Sequence, residues 1–393
     1  MFETLSAPAP DMIFRLTGQF AADPRPDKVD LLVGIYKTAE GKTPVMGAVK
    51  QAEARILETQ ETKSYLSFEG DPLFIAAMRD LILGDAVPSA RVAGVGAVGG
   101  TSALRQVLEL VRTLRPATRV LVSDPSWPIH AAMVDHLGLE RGSYRYLDRG
   151  NNALDREGML ADLSRAGPGD VIVLHGCCHN PTGADLGLAD WVEVAALCNR
   201  TGAIPFVDMA YQGFGDGLVE DTVGVRLLAR EVPTMFVAAS CSKNFGLYRD
   251  RAGVALIVTT EGAVAAAQGQ LTAMNRNNFS FPPDHGARVV QTILTDAGLR
   301  AMWEEELTLM RETMVQNRRA LAEALRDATG SDRFGFLAAH RGMFSLIGAS
   351  PEEVDILREK HGVYLVGDGR MNVAGLRKAV IPKVARALAE VLA

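Results

Sequence analysis

Two rhythms of apolar and polar residues run through the middle of the chain. Short, nearly continuous apolar runs recur at RVLVSD (119–124), DVIVLHG (170–176), AIPFVDMA (203–210), TMFVAASCS (234–242) and AGVALIVTT (252–260). Such runs are too short for helices and read as buried strands. TSALRQVLELVRTLRP (101–116) and LADWVEVAALCNRTG (188–202) instead space their apolar residues as an amphipathic helix does. Thr101 is the expected N-cap of the first. Strand and helix in alternation predict an α/β fold, with a mostly parallel sheet and helices on both faces.

The rhythm then changes. Residues 297–328 form one long helical pattern. FGFLA (334–338) and GVYLV (362–366) read as strands of a smaller C-terminal unit that closes with a helix over 375–392. At 393 residues the chain exceeds one ordinary core. The Pro- and Gly-rich N-terminal stretch is expected to form an arm and part of the small unit.

Composition narrows the function classes. Hydrophobic residues at 48% and charged residues at 22% match a soluble globular protein. The net charge of −6, without a basic run, gives nucleic-acid binding no electrostatic support. The opening MFETLSAPAPDMIF lacks a signal peptide's basic and apolar regions. No run approaches the roughly 18 apolar residues of a membrane span. Cys177, Cys178, Cys198 and Cys241 form no C-x-x-C, which points to reduced thiols in a cytoplasm.

Five segments carry candidate chemistry. GVGAVG (94–99) has dinucleotide-loop spacing, and Asp124 stands where a ribose-binding acid would. The bland reading is a turn, or a plain phosphate-binding loop whose Gly99, Gly100 and Thr101 N–H groups start a helix. His175-Gly-Cys177-Cys178-His179 invites a zinc reading, but alternation along a strand should prevent these groups from all converging on one ion, and no metal is expected. Asn180-Pro181-Thr182-Gly183 is a turn at a strand's carboxyl end, where ligands of open α/β sheets bind. Asp208, between PFV and MAY, should be buried and so needs a cationic or donor partner, either a protonated ring nitrogen or a structural arginine. Lys243 follows a strand, with Ser240, Ser242 and Arg251 nearby in sequence as a set suited to phosphate; alone, it would read as a surface lysine.

Taken together, SCSKNFGLYRDRAG, HGCCHNPTG, VDMAYQGFG, DPSWPIH, VGGTSALR and NRNNFSFPP resemble, in order, the landmarks of class I aminotransferases. The resemblance spans nearly the whole chain and is to the bacterial aspartate and aromatic-amino-acid branch. It implies the pyridoxal-5'-phosphate (PLP) transferase fold, with an arm (1–14), a small domain (15–44 plus 311–393) and a large PLP-binding domain (45–310). By the same resemblance, Lys243 bonds PLP, Asp208 pairs with the pyridine nitrogen, and His130 stands behind Asp208. Tyr211 and Asn180 donate to the phenolic oxygen, and Trp127 packs against the ring. Ser240, Ser242, Arg251 and the Gly100–Thr101 turn hold the phosphate, with Tyr65 of a neighbouring subunit. Arg370 grips the substrate α-carboxylate, Gly34 leaves room beside it, and Arg276 reaches a partner's site to meet a side-chain carboxylate.

The expected activity is ping-pong transfer of an amino group from aspartate, an aromatic amino acid or both to 2-oxoglutarate, by a homodimer with shared sites. Ile129 and Phe281 stand where aspartate-specific relatives usually carry Asn, whereas Lys37 and Thr43 look like the aspartate type. GSDRFGF and HRGMFS resemble the aromatic-accepting relatives. Dual acidic and aromatic specificity is the favoured reading, with Arg276 moving aside for an uncharged ring. The alternatives are strict aspartate transamination, another PLP chemistry, a nicotinamide oxidoreductase resting on GVGAVG, and a non-catalytic binding protein on the same scaffold.

Overall fold

A seven-stranded sheet organises the larger part of the chain. In order across the sheet the strands are Val92–Val98, Ala252–Val258, Met235–Ser240, Ile204–Met209, Val171–His175, Arg119–Asp124 and Glu140–Arg145. All run parallel except Ala252–Val258, which is antiparallel to both its neighbours. Every residue of Val171–His175, Met235–Ser240 and Ala252–Val258 is buried. That explains their unbroken apolar character: helices cover both faces, so no side of the strand faces water. Val95, Leu104, Val107, Val122, Val173 and Phe206 belong to one core cluster between sheet and helices.

The structure is a computed structural model and describes residues 2–5 and 12–392. The expected arm, 1–14, falls partly outside these residues; Met12–Ala22 is a helix. The described chain divides into two units. The larger is Pro44–Thr313 with His340–Gly342, and the smaller takes the residues up to Thr43, Met314–Ala339 and those from Met343 on. The division falls inside the 33-residue helix Ala297–Thr329.

The smaller unit has its own core, which includes Leu31, Leu325, Phe334, Leu357, Met371 and Leu388. Its strands are short. Val29–Asp30 pairs in parallel with Val363–Tyr364, and Phe344–Leu346 pairs antiparallel with Arg370–Asn372. Helix Pro351–His361 starts in a capping box, Ser350 with Glu353.

Four local expectations change. GVGAVG is not a loop: residues 94–98 lie inside a strand, and the helix begins at Gly99, which puts Thr101 in the first turn instead of the cap. Its glycines serve close packing, since a methyl on Gly94 would come within 2.7 Å of the Leu256 side chain. FGFLA is no strand; Phe336–Ala339 is one helical turn, with Leu337 buried in the core. The last helix starts at Ile381, after two 3₁₀ turns.

Candidate active site

Because Ala252–Val258 alone runs backwards, the carboxyl ends of the parallel strands share one edge with its amino end. That edge is where ligands of open α/β sheets bind. Gly100 and Thr101 follow the strand ending at Val98, Trp127 the one ending at Asp124, Asn180 the one ending at His175, Tyr211 the one ending at Met209, and Ser242 and Lys243 the one ending at Ser240. Arg251 immediately precedes the reversed strand. All of these line one cleft of about 230 Å³, together with Leu104, His175, Asp208, Ala210 and Ser240.

One part of the cleft is built for an anion. The helix Gly99–Leu114 opens there, so its first N–H groups lack intrahelical partners and its dipole is positive. Arg251 donates to the Ser242 hydroxyl (3.2 Å) and the Tyr248 carbonyl (3.3 Å), from a left-handed backbone conformation (φ 57°) uncommon outside glycine. Gly99 makes this approach possible. It has φ 71°, and a methyl on it would meet the Arg251 guanidinium at 2.4 Å.

A buried carboxylate lies elsewhere in the cleft. Asp208 is paired in register with His175, and its Oδ2 lies 2.9 Å from His130 Nε2. His130 Nδ1 meets the Ser126 hydroxyl at 3.0 Å, and that hydroxyl meets His175 Nε2 at 3.2 Å. The Asn180 backbone N–H donates to His175 Nδ1 at 3.4 Å. An amide N–H can only donate, so the direction of the whole chain follows for neutral rings. Asn180 donates to His175, His175 to Ser126, Ser126 to His130, and His130 to Asp208. Burial alone would raise the Asp208 pKa, but the His130 hydrogen bond, with His130, His175 and Lys243 close by, holds it below the usual carboxylate range. Burial first, then the neighbouring His179 and His130, keep His175 well below its ordinary value.

The rings of His175 and His179 come together, but among the described residues the four groups of the 175–179 segment do not gather into one ligand cluster. The strand ends at His175, the chain turns, and the two rings pack 4.1 Å apart. His179 also stacks on Tyr146 at 3.8 Å. Cys177, Cys178 and Asp221 place ligand atoms within 4.8 Å of one another. The Asp221 carboxylate already accepts the N–H groups of Gly213, Gly215, Asp216 and Gly217, which shapes the GFGDG loop.

Lys243 is buried, and burial foremost lowers its pKa, with Arg251 adding to the effect and Asp208 opposing it. Its nitrogen lies 5.1 Å from the centre of the Tyr211 ring, and Asn180 donates to the Tyr211 hydroxyl at 3.4 Å. The loop carrying Asn180 is fastened by Asp185, which accepts from the N–H groups of Cys178 and His179 at 2.7 Å each. Burial raises Asp185 to about 6. Ser126 and Asp185 escape motif reading, since neither carries a signal beyond its neighbours.

Gly34 and Arg370 lie in the smaller unit, where Phe344 joins them. The Arg370 guanidinium sits 4.6 Å from the Phe344 ring centre, and a methyl on Gly34 would meet that ring at 2.3 Å. Asn372 donates to the carbonyls of Val33 (2.5 Å) and Ile35 (3.1 Å), gripping the backbone on both sides of Gly34. Buried Arg318 donates to the Phe344 carbonyl and the Ser345 hydroxyl, 2.7 Å each. Lys37 pairs with Asp30 at 2.7 Å. Tyr65 and Arg276 are exposed on the larger unit, and neither lines the cleft.

The sequence matches the family described as aminotransferase class I and II over residues 26–388. The chain belongs to this family. It is 52% identical to an aromatic-amino-acid aminotransferase of Paracoccus denitrificans and 41% identical to an aspartate aminotransferase of Salmonella typhi, each over 100% of both chains. An aromatic-amino-acid aminotransferase of Burkholderia pseudomallei, solved covalently bound to pyridoxal phosphate, superposes with a TM-score of 0.97 at 40% identity, over 100% of both chains. Like the rest of the family, this aminotransferase is a PLP-dependent transaminase, acting on amino acids and 2-oxo acids. Its cleft suits the cofactor, because an anion cradle, a buried carboxylate and a desolvated lysine amine are the three chemistries that a phosphate, a ring nitrogen and an aldehyde require. This membership displaces the oxidoreductase and binding-protein readings. No helix of the described residues is long and apolar enough to cross a membrane.

Proposed function

We propose that this aminotransferase moves the amino group of aromatic and acidic amino acids to 2-oxoglutarate, as a homodimer whose sites borrow Tyr65 and Arg276 from the partner subunit. The observation that carries the chemistry is the desolvated Lys243 amine in one cleft with Asp208 and the anion cradle.

In this reading Gly100, Thr101, Ser240, Ser242 and Arg251 hold the phosphate, Lys243 bonds the cofactor, and Asp208 accepts the ring N–H. When bound, PLP supplies an electron-withdrawing ring that stabilises the electron pair left at the substrate Cα. The hydrogen-bond chain behind Asp208 keeps that carboxylate ionised, so the ring nitrogen stays protonated. Tyr211 and Asn180 donate to the phenolic oxygen, and Trp127 packs against the ring. Once the substrate amine displaces it from the cofactor, Lys243 Nζ is free, and with its pKa lowered by burial it would take the proton from Cα and return it to the cofactor's side of the new bond. Arg370 holds the α-carboxylate by paired N–H donors, with Gly34 leaving it space.

Apolar Ile129 and Phe281 support acceptance of an aromatic side chain, as does the name of the Paracoccus relative. Arg276 supports acceptance of a second carboxylate. The dimer is supported by Tyr65, 81% exposed beside the half-exposed Leu66. A substrate panel of Asp, Glu, Phe, Tyr and Trp with 2-oxoglutarate tests the reading. Activity on both classes is expected, and activity confined to Asp and Glu would overturn the dual specificity. Mixed dimers of Lys243→Ala and Arg276→Ala subunits should regain aspartate activity at one site; no regain would overturn the shared sites.

A further inference from the structure

Lys243 begins a turn. The Gly246 N–H donates to the Lys243 carbonyl at 3.0 Å, so Asn244 and Phe245 are the two central residues. One side chain grips both. Trp303 is fully buried, and its indole N–H donates to the Asn244 carbonyl at 2.7 Å. Its ring lies face to face with the buried Phe245 ring, with centres 4.4 Å apart and planes within 3°. Among the described residues no other donor reaches the Asn244 carbonyl, and the buried Asn244 Oδ1 has no partner. Trp303 is itself held firmly. One turn further along its helix, Glu306 accepts the N–H groups of Gly47 (2.7 Å) and Ala48 (3.1 Å), which open the helix Gly47–Thr59. Leu307 packs so closely on Gly213 that a methyl there would come within 2.5 Å. Arg311 donates to the Gly213 carbonyl at 3.4 Å. Gly213 belongs to the loop that carries Tyr211. One stretch of helix within the larger unit therefore steadies the two loops that present Lys243 and Tyr211.

A lysine amine rides on a flexible four-carbon stem, so the backbone beneath it decides which positions it can reach. Proton transfer asks for reacting atoms about 3–3.5 Å apart, and a misplacement of about 1 Å can cost about 100-fold. We propose that Trp303 is a positioning residue for the proton transfer: by fixing both central residues of the turn, it sets where the Lys243 amine stands relative to the substrate Cα. The proposal rests on the reading that Lys243 moves the Cα proton. Trp303 does not line the cleft and acts only through the turn. Without the indole N–H, the Asn244 carbonyl is left buried without a donor, and the turn must shift to recover one. The anion cradle and the Arg370 site have anchors of their own. Loss of the indole N–H is therefore felt in the chemical step and not in substrate binding.

The test uses Trp303→Phe holoenzyme, which keeps an aromatic ring beside Phe245 and removes the N–H. The single-turnover reaction with aspartate is followed by the cofactor's absorbance change. Its limiting rate should fall by about 5- to 100-fold, with the half-saturating aspartate concentration within about 2-fold of the parent. With Cα-deuterated aspartate the isotope effect should be as large as the parent's or larger, because the slowed step is the proton transfer. Hydrogen exchange read by mass spectrometry gives a measure apart from activity. The peptide covering 242–248 should exchange faster than in the parent, and the peptide covering 99–114 should be unchanged. Should Trp303→Phe fail to fold, Phe245→Leu keeps the indole N–H but removes its stacking partner, and the same pattern is expected. A rate loss below about 5-fold, a loss carried by weaker aspartate binding, an isotope effect that falls toward unity, or exchange that is unchanged or faster in both peptides overturns the proposal. Lys243→Ala in the same assay separates the two layers. Its loss of the reaction, with Trp303→Phe silent, removes the proposal and leaves the functional reading standing. A Lys243→Ala enzyme that keeps the parent's rate overturns both.

Discussion

A single methyl group at position 34 gives a sharp test of the carboxylate site. The alanine Cβ would stand 2.3 Å from Phe344 Cζ, and 3.2 and 3.3 Å from the two Cε atoms. Relaxed carbon contacts sit at about 3.5–4.0 Å, so ring and methyl must separate by about 1.2 Å or more. Neither side gives easily. Asn372 clamps the carbonyls flanking Gly34, and Arg318 pins the Phe344 carbonyl. The shift therefore passes to the Arg370 guanidinium packed on the ring. A misplacement of about 1 Å in a positioning group can cost about 100-fold, or about 2.7 kcal/mol of transition-state stabilisation. Every amino-acid and oxo-acid substrate carries an α-carboxylate, so Gly34→Ala should lower kcat/KM for aspartate, phenylalanine and 2-oxoglutarate alike. Steady-state kinetics checks this, with the visible absorption of the bound cofactor as the control that the Lys243 cleft is intact. A loss below 3-fold, or one confined to a single donor, would refute the reasoning.

Other outcomes follow from the same geometry. Lys243→Ala should lower turnover by at least about 10²–10⁴-fold, and borohydride reduction with peptide mass mapping should find no cofactor on that segment. Arg318→Met strips charged donors from the Phe344 carbonyl and Ser345; a lower Tm and a raised KM for all substrates are expected, and an unchanged Tm would contradict the role given to it. Acid should destabilise the fold. The folded-state pKa values of His175 and His179 are depressed below the ordinary value of 6.5 by burial, so the unfolded chain binds more protons below that pH. Stability should then fall as pH drops through about 6.5, each histidine approaching a slope of about 1.4 kcal/mol per pH unit. Asp185 has the opposite sign, because its pKa raised to about 6 adds stability as pH falls from there toward 3.8. Tm recorded against pH should therefore drop more steeply in Asp185→Asn than in the parent, and equal slopes would count against this assignment.

The parts of the architecture that depend on local pattern were legible. Val171–His175, Met235–Ser240 and Ala252–Val258 are apolar because both faces of the sheet are covered, and their sequences show it directly. Lys243, Asp208 and Asn180 could be singled out because each stands at or just beyond the carboxyl end of a buried strand. What stayed hidden depends on contacts between distant segments. His130, Ser126 and His175 join into one chain only after two strands are placed side by side. The Gly34–Phe344 approach joins residues 310 positions apart. The glycines of GVGAVG misled because close strand packing and phosphate binding ask for the same residue. FGFLA misled because a short apolar run does not reveal its period, and Phe336–Ala339 coils into a turn that buries Leu337.

Asn180 does two jobs with two different groups. Its main-chain N–H begins the relay that ends on Asp208, and its side-chain amide touches the Tyr211 hydroxyl. The acidic and phenolic sides of the cleft thus hang from one peg, which Asp185 steadies through the two preceding amides. Any change that tilts this loop will detune both sides in step, and restoring either one alone will not bring back the other.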